Sequence, residues 1–187
     1  NADQRYYQGL RSEEILKQKL PMALIHEGIG EVVYDPTGTF KIGQKVVMIP
    51  NLPNEEDDVA AENYLRSSKF RGSSIDGFLQ EFVSNVPDRL VQLPDGINPI
   101  VAAFTEMVSV AYHAISRFKN IAHSRRQHIG VWGDGNLGYM TSLLLTKMIP
   151  EAKIYVLGLD ENKLSDFTFA DGTYFTTDIP EGFYIDH

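Results

Sequence analysis

Six residues constrain this chain more than any others: Gly133-Asp134-Gly135-Asn136-Leu137-Gly138, a GxGxxG run between the apolar stretch Ile129–Trp132 and a helix-like stretch from Leu137 to Ile149. In such a loop the first glycine permits the tight turn and the second lets the backbone approach a pyrophosphate. The third lets helix and strand pack closely. The pyrophosphate then lies against the helix N-terminus, where free N–H groups and the dipole favour negative charge. The pattern alone is weak, but a strand before it and a helix after it are the context the fingerprint demands. A second apolar strand, Ile154–Leu157, follows. Strand, helix and strand within about 30 residues form a βαβ unit and commit this part to a parallel sheet. The expected cofactor-binding residues here are Gly133, Gly135, Asn136, Leu137 and Gly138.

The residue that reads the adenosine ribose is harder to place. An NAD site wants a carboxylate at the end of the second strand, about 20 residues on. The sequence offers Gly158-Leu159-Asp160-Glu161-Asn162-Lys163. If the strand ends at Gly158, the reading position carries no acid and leaves room for a 2′-phosphate near Lys163. If it ends at Asp160, the site prefers NAD. Asp160 also reads simply as the cap of the next helix. NADP is the expectation, with Gly158 and Lys163 at the ribose end.

Upstream the pattern is β-rich. Met22–Tyr34, with glycines at 28 and 30, reads as a bent strand, Lys45–Ile49 as a short strand stopped by Pro50, and Gly77–Val83 and Arg89–Leu93 as two more. Asn51–Ser74 alternates acidic and basic runs and reads as a solvated insertion. Beyond Pro94 the period changes. Ala103, Met107, Val110, Ala111, Ala114, Ile115 and Phe118 recur at threes and fours, as on an amphipathic helix. The polar stretch Lys119–Gln127 makes a boundary between a domain at 1–118 and another at 119–187. The 187 residues carry 17 Lys and Arg against 25 Asp and Glu, a net charge of −8. That balance opposes a nucleic-acid binder, which needs a basic face. No apolar run is long enough for a membrane helix. The absence of cysteine excludes disulfides and thiolate metal sites within these residues. The opening at Asn1 and the strand-like Gly182–Ile185 just before His187 read as the ends of a fragment.

His26-Glu27 and Glu106 are the candidate metal ligands. Zinc takes imidazole and carboxylate ligands, and a catalytic zinc site keeps three protein ligands and an open position. Glu106 is the one acid among largely apolar neighbours, and a carboxylate facing a core needs a partner or a metal. Taken singly, a strand histidine is more often structural, and Glu106 could face solvent. His113 reads as packing, and His123, His128 and His187 carry no pattern.

Together these residues resemble a known family. His26-Glu27-Gly28-Ile29-Gly30-Glu31-Val32-Val33 is similar to the GHEGxGxV strand of zinc-dependent medium-chain alcohol dehydrogenases. Phe40–Val47, Asp76–Phe82, Leu93-Pro94-Asp95, Ala102–Glu106 and the GxGxxG follow in the family's order across nearly the whole chain. Asp3–Gly9 and Asn63–Ser68 resemble most closely the ribulose-5-phosphate reductase branch, which makes ribitol 5-phosphate for teichoic acid and capsule precursors. The resemblance implies a mixed α/β fold: a GroES-like β-rich domain, then a partial Rossmann doubly wound parallel sheet. It implies one catalytic zinc on His26, Glu27 and Glu106, with Glu27 a ligand or movable neighbour and Asp3 orienting His26 as a second carboxylate. It further implies NADPH as hydride donor and a sugar-phosphate substrate in a cytoplasmic homodimer, with ribitol-5-phosphate cytidylyltransferase as a partner. Arg5 and Lys19 are candidates for the substrate phosphate by charge. Departures matter too. The family's first zinc cysteine would fall just before Asn1, and the usual relay Ser or Thr is Ala2. The four-cysteine structural zinc lobe is replaced by Asn51–Ser74, so no structural zinc is expected. With part of the site and half a cofactor domain, these residues alone are not expected to turn over substrate.

Overall fold

The computed structural model describes residues 2–187. The chain divides into two units, one ending at Glu106 and one spanning Met107–His187.

In the first unit regular structure is short. Helices α1 (Ala2–Tyr7) and α2 (Glu13–Lys19) open it. Ser12 caps α2 by accepting the Ile15 N–H, and Glu13 and Glu14 in the first turn and Lys17 and Lys19 in the last suit its dipole. Strands β1 (Ile29–Glu31), β2 (Lys45–Met48), β3 (Asn51–Leu52), β4 (Lys69–Phe70) and β5 (Leu90–Gln92) follow. β2 is the centre of an antiparallel sheet, with Val47 opposite Ile29 on one side and Val91 on the other. Val47, Leu93 and Ala102 form its core. Asn98 caps the single turn α3 (Pro99–Ala102).

Three expectations need correction here. Met22–Tyr34 is not one strand: only β1 is regular, and Ile25 turns the chain aside with φ of 72°. Gly77–Val83 is not a strand either. Its backbone meets the other irregular segment instead, with Gly77 N–H donating to Ala23 O, Phe78 N–H to Ile25 O and Leu79 N–H to Leu24 O at 2.7–3.1 Å. Each segment thus satisfies polar groups a ladder would have served. The Asn51–Ser74 insertion is anchored rather than merely solvated. Its ends pair as β3 and β4, and Glu62 takes both Nη1 and Nη2 of Arg89, whose side chain is only 11% exposed.

The second unit is more regular. Helix α4 (Thr105–Ile121) begins at the end of the first unit and buries Ala111 and Ile115. Strand β6 (His128–Trp132), helix α5 (Asn136–Met148), strand β7 (Lys153–Gly158), helix α6 (Glu161–Leu164) and strand β8 (Gly172–Phe175) complete it. The strands run parallel in the order β6-β7-β8. Ile154 and Val156 of the central strand are fully buried and anchor two apolar clusters, one with Ile115, Ile129, Leu145 and Ile149, the other with Leu164 and Phe167. Gly182–Ile185 forms no strand. The residues after it do run along β6: Asp186 N–H donates to His128 O and Gly130 N–H to His187 O, each at 2.8 Å. Among the described residues no helix is long and apolar enough to cross a membrane.

Candidate functional site

The first unit gathers a ligand set around the bend at Ile25. A β-branched residue at positive φ costs about 1–3 kcal/mol, and such strain persists where surroundings over-determine it. Here Asp3, on α1, does so: its Oδ1 accepts the Ile25 N–H at 2.9 Å. The bend delivers His26 and Glu27 to the same place, and the ligand atoms of Asp3, His26 and Glu27 all lie within 4.8 Å of one another. His26 Nε2 is 3.5 Å from Glu27 Oε1, and its ring packs edge-on against Phe70. All three side chains are partly buried. Glu106, at the start of α4, lies outside that trio but within its field. Burial pushes its carboxyl above the usual range, the His26 charge pulls it back, and the Glu27 charge raises it further. An imidazole with carboxylates is a donor set that suits zinc, so these residues fit the ion the family resemblance implies.

Of the phosphate candidates, Arg5 stays exposed on α1. Lys19 is partly buried, and its Nζ donates to Ser73 O at 2.8 Å. Arg11, unremarked in the sequence, lies with its guanidinium carbon 4.9 Å from the centre of the Tyr6 ring. Its signal was only a basic residue placed just after the Gly9 turn.

The second unit holds the glycine loop between β6 and α5. A side chain at Gly138 would collide with Gly133 O, whereas one at Gly135 would meet nothing within 4 Å. Helix and strand are therefore packed to the limit at Gly138, while open space remains above Gly135 where a ligand would approach. Gly135 precedes α5 as its N-cap and offers no side-chain cap, leaving the helix's first N–H groups for an anion. Asp134, Asn136, Tyr139, Lys163 and Phe167 line a cleft of about 450 Å³ there. The loop suits a dinucleotide. Leu137 is exposed beside it.

At the ribose end β7 stops at Gly158, and Asp160 caps α6 by accepting the Asn162 and Lys163 N–H groups. Asp134 plays a part that sequence reasoning missed. Its Oδ2 accepts the N–H groups of Leu159 and Asp160 at 2.7 and 2.8 Å, and these bonds hold its carboxyl below the usual range. A side chain at Gly158 would meet that same oxygen at 2.6 Å. An acid at 158 is thus shut out by the acid at 134; the clue was a carboxylate inside a glycine-rich loop. Lys163 is exposed, 3.5 Å from Asp160.

Residues 1–95 match the alcohol dehydrogenase GroES-like domain. The whole chain is 58% identical over 186 residues to a ribulose-5-phosphate reductase of Bacillus spizizenii and 56% identical to ribulose-5-phosphate reductase 1 of Staphylococcus aureus, covering 54% of each. The chain spans about half the length of the curated relatives it matches. The crystal structure of S. aureus TarJ in complex with NADPH superposes with a TM-score of 0.78 at 47% identity, over 98% of this chain and 50% of that one. Galactitol-1-phosphate dehydrogenase from Escherichia coli, at 19% identity and a TM-score of 0.74 over 89% of this chain and 50% of that one, shares the fold.

Proposed function

The chain belongs to the alcohol dehydrogenase GroES-like family, and from that premise we propose that it serves a cytoplasmic reductase converting D-ribulose 5-phosphate to D-ribitol 5-phosphate with NADPH, for CDP-ribitol and teichoic acid or capsule synthesis. The observation that carries the reading is the convergence of Asp3, His26 and Glu27 at one point with Glu106 in their field. On this reading His26, Glu27 and Glu106 hold one zinc, and Asp3 keeps the Ile25 bend that aims His26. Zinc bound there supplies Lewis-acid polarisation of a ketone. NADPH bound at the glycine loop would supply the hydride for C2.

The chain's own residues do the rest. A half-buried carboxyl such as Glu106 gains most from a neighbouring cation, because burial otherwise disfavours its charge. The α5 N-terminus and the open face of Gly135 orient the pyrophosphate. Gly158, kept free of an acid by Asp134, and Lys163 accept the 2′-phosphate that separates NADPH from NADH. Ala2 has no exchangeable side-chain hydrogen, so the proton that completes the C2 hydroxyl comes from a different relay group or from solvent. The likeness to reductases over the full length of this chain supports the substrate.

Kinetics of the intact protein with D-ribulose 5-phosphate test it, following NADPH and NADH in parallel. The reading expects kcat/KM at least tenfold higher with NADPH, that is, about 1.4 kcal/mol or more. Preference for NADH with an unphosphorylated polyol would instead make the protein a sorbitol-type dehydrogenase.

A further inference from the structure

Two cations converge on one aromatic ring of the first unit, and the proposed function leaves them unused. Arg11 places its guanidinium carbon 4.9 Å from the Tyr6 ring centre, and Lys19 places Nζ 5.9 Å from the same centre. Cation–π contacts are individually weak and do not by themselves account for two cations at one ring. Neither cation enters an ion pair with a described residue, in a chain of net charge −8 that has acids to spare. Arg11 Nε is sealed from solvent and finds no hydrogen-bond acceptor among the described residues. A buried guanidinium N–H without an acceptor is a donor that an anionic ligand would satisfy. Lys19 Nζ gives one hydrogen to Ser73 O, which fixes the amine and leaves its other N–H groups available.

The position is suggestive as well. Tyr6 follows Asp3 by one turn of α1, about 4.5 Å along the helix axis. The two side chains therefore lie on one face of α1, and Asp3 belongs to the His26–Glu27 ligand cluster. A ketose whose carbonyl reaches that cluster carries its terminal phosphate a few bonds away. We propose that Arg11 and Lys19, both in contact with the Tyr6 ring, form the subsite for the phosphate monoester of the substrate. Arg11 gives the planar fork that phosphate accepts, and Lys19 gives a point charge. Arg5, exposed on the same helix, takes no part. This inference rests on the reading of the protein as a sugar-phosphate reductase and names the residues that select the phosphorylated substrate.

The test compares wild-type, Arg11→Gln, Lys19→Gln and Arg5→Gln forms of the intact protein in two measurements. In steady-state kinetics, Arg11→Gln and Lys19→Gln are each expected to raise KM for D-ribulose 5-phosphate about tenfold to a hundredfold, the loss of one charge-assisted hydrogen bond. Both should leave the kinetics on unphosphorylated D-ribulose within about twofold, and Arg5→Gln should change neither. Equal losses on both sugars, no loss on either, or a loss in Arg5→Gln alone overturns the assignment. The second measurement, titration of ribitol 5-phosphate and ribitol followed by ³¹P line broadening and calorimetry, needs no turnover. Tight binding of the phosphate form that weakens in Arg11→Gln supports the subsite even if ribulose 5-phosphate is not reduced, in which case the proposed function falls alone. Equal binding of the two polyols by the wild type overturns the subsite whatever the reaction.

Discussion

The two units of this chain are held together by different means. In the second, β6, β7 and β8 form an unbroken parallel ladder, and Ile154, Val156 and Leu157 disappear entirely from solvent between flanking helices. In the first, strands of two to four residues leave much of the backbone to side chains. Asp3 holds Ile25 N–H, Asp76 holds Ala23 N–H, Lys19 holds Ser73 O, and Arg71 holds Asp76 O and Ser84 O. Repetitive backbone bonding builds a platform that tolerates exchange of its surface residues. Side-chain bonding builds irregular turns, and it is an irregular turn at Ile25 that brings His26 and Glu27 to Asp3. The half bearing the candidate metal site therefore depends on particular polar residues, and the half bearing the candidate cofactor loop depends on apolar volume.

The comparison breaks most visibly with Ile154→Ala. Removing a fully buried branched side chain costs about 2–5 kcal/mol, and denaturant unfolding followed by hydrogen exchange should show the loss in the β6–β8 ladder while the first unit keeps its protection. Equal loss in both units would erase the distinction. Arg89→Leu makes the reciprocal case. It strips Glu62 of both its Arg89 hydrogen bonds and frees the 51–74 insertion. The expected cost is about 1–3 kcal/mol, confined to the first unit and visible as faster proteolysis within the insertion. The smallest effect is a pH dependence in the second unit. Backbone N–H groups of Leu159 and Asp160 hold the Asp134 carboxyl below its ordinary value. A lowered carboxyl stabilises the fold above the ordinary aspartate range, and that stabilisation is lost as pH falls through the lowered value. Wild type should therefore be more stable than Asp134→Asn at neutral pH, with the difference shrinking to nothing in strong acid. A constant difference at all pH would deny the carboxylate that role.

What could be read from the sequence follows the same division. The βαβ unit was legible because periodicity reports repetitive structure, and β6, α5 and β7 fall within a residue or so of Ile129–Trp132, Leu137–Ile149 and Ile154–Leu157. The glycine spacing also marked the close packing at Gly138, which admits no side chain. Met22–Tyr34 and Gly77–Val83 look like strands because apolar residues predominate in both. The positive φ of Ile25 and the cross-bonding of the two segments depend on Asp3 and Asp76, residues distant in sequence, which periodicity cannot register. For the same reason Arg11 went unnoticed: a charge matters at a site only through what the fold sets beside it. His123 and His187, which carry no pattern along the chain, meet with their ring nitrogens 3.2 Å apart.

The most direct test of the account is the zinc content of the intact protein alongside its NADPH-linked reduction of D-ribulose 5-phosphate, in wild type and His26→Ala. The account predicts one zinc per chain in the wild type. In the variant the metal is lost and kcat/KM falls about a thousandfold or more, the loss of several kcal/mol of charge stabilisation. A His26→Ala protein that keeps both its zinc and its rate would contradict it.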